Sequence, residues 1–108
     1  MALALNEKQI AHFRDAGYVS PIEMFSLDEV AEYRALLEDY ERKHGGPVSG
    51  ATRSKCHLLF KWVDDMMRDH RIVDLVEDLI GGNILCWNAL FWVKEAGSKS
   101  FVSWHQDA

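Results

Sequence analysis

The hydrophobic period of this chain changes once, at Gly81-Gly82-Asn83, and no other feature constrains its fold as strongly. Before that point apolar residues recur every three or four positions, the spacing of a helix face. After it, Asn83 to Lys94 (NILCWNALFWVK) reads with a period of two. Ile84, Cys86, Asn88, Leu90 and Trp92 then share one face, and Leu85, Trp87, Ala89, Phe91 and Val93 the other. A strand apolar on both faces must be covered on both. The chain is therefore expected to place helices first and strands second, an α+β arrangement.

Local signals divide the helical part. Asn6 with Gln9, and Ser26 with Glu29, are capping boxes, in which a side chain at each end satisfies a backbone N–H of the other. The first opens a short helix burying Ile10 and Phe13, which Gly17 ends. Tyr18-Val19-Ser20-Pro21 reads as extended, because a residue before proline avoids the helical region. The second box opens a helix running to about His44, with Val30, Tyr33, Leu37 and Tyr40 as its apolar stripe. Residues 46–55 read as a loop. A third helix is expected over about 57–68, and a fourth over about 71–80 that presents Ile72, Leu75, Val76 and Leu79. Beyond the strand ending at Lys94, a polar connection leads to a second strand from Phe101 to Gln106. The reading is one domain over 1–108, helical to about 82 and stranded from about 83, with a sheet that looks unfinished. Two strands alone are marginal in water.

The 17 carboxylates outnumber the 12 lysines and arginines, giving net charge -5. That balance argues against nucleic acid and anionic membranes as partners. The opening MALAL lacks the basic start of a signal peptide, and no apolar run is long enough to span a bilayer. Cys56 and Cys86 match no CxxC spacing and read as reduced thiols of a cytoplasmic protein. No zinc pattern, nucleophile elbow, phosphate loop or dinucleotide fingerprint occurs.

The chemistry-bearing motif is His105-Gln106-Asp107. In a strand, residues i and i+2 project to the same side, so His105 and Asp107 can reach one ion while Gln106 points away. Imidazole and carboxylate are two of the three ligands in the two-His-one-carboxylate site of non-heme Fe(II) oxygenases. The bland alternative is a surface histidine beside an aspartate. His12, His44, His57 and His70 precede the motif in helical or loop segments and read as surface or packing residues, not as third ligands. The aromatic residues Trp87, Phe91, Trp92 and Trp104 read as core rather than as stacking platforms for bases.

The motif does not stand alone. Phe13-Arg14-Asp15-Ala16-Gly17-Tyr18-Val19, Lys55-Cys56-His57-Leu58-Leu59, Arg71-Ile72-Val73-Asp74, Gly81-Gly82-Asn83-Ile84-Leu85 and Phe101-Val102-Ser103-Trp104-His105-Gln106-Asp107 occur in that order. The set resembles the phytanoyl-CoA dioxygenase family of Fe(II)- and 2-oxoglutarate-dependent oxygenases. The resemblance implies a double-stranded β-helix, or jelly roll, with helices packed on its first strands and incomplete in this chain. It implies His105 and Asp107 as metal ligands, Fe(II) and 2-oxoglutarate as cofactors with ascorbate in support, and a small organic molecule as substrate. It places Leu90 beside the co-substrate, although barrel core explains that residue as well. Lys55 is a second co-substrate contact, with Arg53 as a competitor and an exposed loop lysine as the plain reading. Halogenating relatives carry a small residue at the carboxylate position, so Asp107 implies hydroxylation instead.

Two expectations for the chain follow. It is the N-terminal part of such an oxygenase, inactive alone without the distal histidine and the arginine that grips 2-oxoglutarate. Alternatively it is a non-catalytic fragment or assembly module, self-associating through an unfinished sheet edge.

Overall fold

The computed structural model describes residues 4–107; Met1 to Leu3 and Ala108 lie outside, and with them part of the MALAL start and the last residue of the expected domain. Four helices follow one another: α1 (Glu7–Ala16), α2 (Leu27–His44), α3 (Lys61–Met67) and α4 (His70–Ile80). Both capping boxes form. The Asn6 side chain accepts from Gln9 N–H at 2.9 Å while Gln9 accepts from Asn6 N–H at 3.0 Å. Ser26 and Glu29 repeat the exchange at 3.2 and 2.8 Å. Gly17 (φ 82°) and Gly45 (φ 74°) take the left-handed conformation that ends α1 and α2.

Three tethers join the helices. Leu5, buried, donates its N–H to Asp78 of α4 at 2.8 Å, holding the start of α1 against that helix. Arg71 at the first turn of α4 forks onto Glu29 of α2, at 2.8 and 3.1 Å, and onto its neighbour Asp69 at 2.7 and 2.9 Å. Its guanidinium also lies 4.9 Å over the Phe25 ring. The third tether is aromatic. Phe25, Tyr33, Trp62, Phe60, Tyr40 and His44 form a chain of neighbouring rings with centroids 4.0–6.2 Å apart, joining α2 to the start of α3. Such pairs contribute about 0.5–1.5 kcal/mol each beyond the area they bury.

The third helix is shorter than its sequence pattern predicts. Lys55 sits in the left-handed region (φ 53°), and Cys56–Leu58 form a separate 3-10 turn before the extended Phe60 restarts the chain as α3. Cys56 holds this bend. It is the most deeply buried side chain, 1% exposed, and its thiol donates to the Arg53 carbonyl at 2.9 Å. The residues expected to face inward on α4 (Ile72, Leu75, Val76, Leu79) are half-buried, as are Tyr33, Leu37 and Tyr40 of α2; Val30 is exposed.

The strands expected from 83 to 94 and from 101 to 106 do not form. Among the described residues the architecture is helical, with one isolated antiparallel bridge, Ser54 to Leu90. The expected jelly roll is therefore corrected: no part of its sheet is present in residues 4–107. The cause is visible at the bridge. Phe91 N–H donates to Arg53 O at 3.0 Å and Cys56 N–H to Ala89 O at 2.9 Å. Between them Lys55 turns left-handed and gives its N–H to the Asn88 side chain at 2.9 Å, so the partner chain leaves before a ladder can extend. A period of two is a statement about the faces of a strand, and only a partner edge converts it into a sheet.

The outcome is an open molecule. It exposes 9124 Å², against about 6100 Å² for a compact protein of this mass. Its radius of gyration is 16.2 Å, against about 13 Å for a compact chain of this length. The helical layer holds the buried residues Leu5, Ile10 and Val63; Leu85, Trp87, Phe101 and Trp104 of the extended layer face solvent.

Candidate functional site

His105 and Asp107 come together. His105 Nε2 lies 3.3 Å from Asp107 Oδ1, and His105 Nδ1 lies 2.8 Å from the carbonyl oxygen of Ser103. A carbonyl can only accept, so Nδ1 donates to it and Nε2 is the nitrogen that faces the carboxylate. An imidazole nitrogen and a carboxylate oxygen this close can share either a proton or a metal ion. Metal–ligand bonds of about 2.1 Å at a right angle hold their donor atoms about 3 Å apart, so the observed separation suits two adjacent ligands of one divalent ion. The Ser103 carbonyl holds the ring through Nδ1, the kind of backing contact that orients histidines in metal sites. Sequence reasoning did not identify that residue, although Ser103 and His105 share a face in the period-two pattern. Both side chains are open to solvent.

No third donor joins them. Among the described residues no group of three His, Cys, Asp or Glu is placed to hold a metal ion. His12 meets Tyr18 edge-on, and His44 stacks on Tyr40 with its Nδ1 2.9 Å from the Tyr40 carbonyl. His57 Nδ1 is buried without a hydrogen-bond partner, in a cleft it shares with Met67 and Cys86.

The two other expected site residues sit together at the Ser54–Leu90 bridge. Leu90 is 39% exposed, more open than a core residue. The Lys55 amine lies 4.9 Å over the Trp87 ring, and its backbone is held by Asn88, whose amide also reaches Ser54 Oγ at 3.5 Å. Among the described residues no hydrogen bond or ion pair links Lys55 or Leu90 to His105 or Asp107. The competitor Arg53 is placed differently: its guanidinium lies 4.6 Å over Trp92 and lines a cleft with Lys94 and Ser100.

The chain is similar to a curated protein. That protein is a probable alpha-ketoglutarate-dependent hypophosphite dioxygenase of Stutzerimonas stutzeri, 30% identical over 120 aligned positions that take in 93% of this chain. The chain spans 41% of the length of that relative. No family model matches the chain. No solved structure matches it either. Among the described residues no helix is long and apolar enough to cross a membrane.

Proposed function

We propose that this chain carries two of the three protein ligands of an Fe(II)- and 2-oxoglutarate-dependent oxygenase of the phytanoyl-CoA dioxygenase type, acting on a small molecule. The observation that carries the reading is the pairing of His105 Nε2 with Asp107 Oδ1 at 3.3 Å, with Nδ1 committed to the Ser103 carbonyl. The similarity to an alpha-ketoglutarate-dependent dioxygenase supports the same class of reaction. Held by His105 and Asp107, Fe(II) would supply the oxidising chemistry of this class, in which 2-oxoglutarate is spent to succinate and carbon dioxide as the substrate is oxidised by dioxygen. The protein's part would be to fix the ligands, with Nδ1 held by the Ser103 carbonyl and Nε2 left to face the metal. Leu90 and Lys55, side by side at the bridge, are the residues proposed to face the co-substrate. Asp107 fills the position a halide would need, so the reaction proposed is oxidation rather than halogenation.

Cobalt(II) titration of the purified chain tests the ligand assignment. A visible absorption band is expected, lost on His105→Ala and weakened by roughly tenfold or more on Asp107→Ala. Equal binding by both variants would remove the assignment.

A second reading is favoured by the exposed area: an assembly module whose extended layer buries itself against another copy. About 3000 Å² beyond that of a compact monomer is more than a standard interface takes from one partner, about 800 Å².

A further inference from the structure

Soft metal donors gather away from the His105–Asp107 pair. His57 in the 3-10 turn, Met67 at the end of α3 and Cys86 in the extended layer line one cleft. The Cys86 thiol lies 3.9 Å from the Met67 thioether sulfur. His57 Nδ1 is buried without a hydrogen-bond partner. Folded proteins rarely leave a buried polar atom unpaired, and a bound ion is one way of satisfying it.

The other donors nearby are committed elsewhere. Both carboxylate oxygens of Asp64, which lines the same cleft, are taken by Arg68 at 2.9 and 3.0 Å. The Cys56 thiol donates to the Arg53 carbonyl. Among the described residues no carboxylate forms a group of three with His57 and Cys86. What the cleft offers is therefore a thiol, a thioether and an imidazole. The spacing of the two sulfurs suits a single ion. Bonds of about 2.3 Å hold two sulfurs about 3.8 Å apart at a tetrahedral angle and about 4.0 Å apart at a trigonal one. The observed 3.9 Å lies between. A thioether is outside the usual ligand set of zinc, whereas thiolate, thioether and imidazole together suit copper(I). Cys86 is exposed, so an ion reaches the thiol from solvent.

We infer that His57, Met67 and Cys86 form a binding site for copper(I). The Cys86 thiol gives up its proton to solvent, the thiolate and the Met67 sulfur take the ion, and His57 supplies the nitrogen. The copper stays in the +1 state, so no electron is transferred. The site involves neither His105 nor Asp107 and stands apart from the oxygenase reading.

The test is an anaerobic titration of the reduced full chain with copper(I) held by a coloured chelator, which the protein must outcompete. Methionine methyl groups labelled with ¹³C report the same titration by NMR. One equivalent is expected to bind, with the Met67 methyl shifted and that of Met24 unmoved. Cys86→Ser should abolish binding, and Met67→Leu and His57→Gln should each weaken it by roughly tenfold or more. Met24→Leu, which removes a thioether from another cleft, should leave it unchanged. A thiol that only rests on a thioether predicts the opposite: copper(I) on Cys86 alone, indifferent to Met67 and His57. An unmoved Met67 methyl, or unchanged affinity in a folded Met67→Leu or His57→Gln protein, would overturn the inference.

Discussion

At His105 a main-chain oxygen engages one ring nitrogen and leaves the other facing a carboxylate. The Ser103 carbonyl accepts from Nδ1 at 2.8 Å, and Asp107, two residues on, stands 3.3 Å from Nε2. The contact is local, made within one short segment, and so was legible in the period-two spacing. The partner of the second nitrogen was not, because nothing in the spacing says which nitrogen meets the main chain. Asp107 carries the prediction at this scale. In the proposed site an Asp107→Gly variant should lose one protein ligand, and added chloride should then perturb the spectrum of bound cobalt(II). The Asp107 form should show no chloride effect. A chloride-sensitive spectrum in the unsubstituted protein would contradict the proposed role of the carboxylate.

Among the elements, α2 and α4 are coupled by a charged clamp rather than by fully buried apolar contact. Glu29 serves twice, as the third residue of a capping box and as the partner of Arg71. The Arg71 guanidinium first, and the Ser26 N–H after it, hold the Glu29 carboxyl down from its ordinary 4.5 to about 2. Arg71 likewise holds Asp69 at about 2. Both folded-state values are depressed, so their contribution to stability is present above about pH 4.5 and is lost as pH falls toward 2. The thermal midpoint should therefore fall across that window. Arg71→Met should lower the midpoint at pH 7 and flatten its decline below pH 4.5, measured by circular dichroism on heating. An unchanged acid limb in that variant would show that the clamp does not couple the helices. The caps of these helices were readable because each closes within three residues. The clamp was not, since Glu29 and Arg71 are 42 positions apart and each passes for part of a solvated face.

For the whole molecule, the decisive quantity is surface. An excess of about 3000 Å² over a compact chain, with Leu85, Trp87, Phe101 and Trp104 among the exposed apolar residues, is large for a monomer in water. Sedimentation velocity at increasing protein concentration should therefore show species heavier than one chain. Phe101→Glu with Trp104→Lys should return the protein to monomer without altering its helical signal. A strictly monomeric unsubstituted chain at high concentration would rule out the assembly reading.

By itself the sequence determined whatever depends on near neighbours. It set the two capping boxes, the glycine stops at Gly17 and Gly45, the inward stripe of α4 and the nearness of His105 to Asp107. Each of these is settled by dihedral preference, or by bonds spanning a few residues. What the tertiary structure decided depends on segments far apart in the chain. The twelve residues from Asn83 to Lys94 have the pattern of a strand, yet one bridge to Ser54 is the pairing they obtain. Lys55 turns away, and backbone groups without a partner edge cannot make a sheet. The same long-range placement sets the Arg53 guanidinium over the Trp92 ring, a relation between residues 39 positions apart that no local pattern encodes.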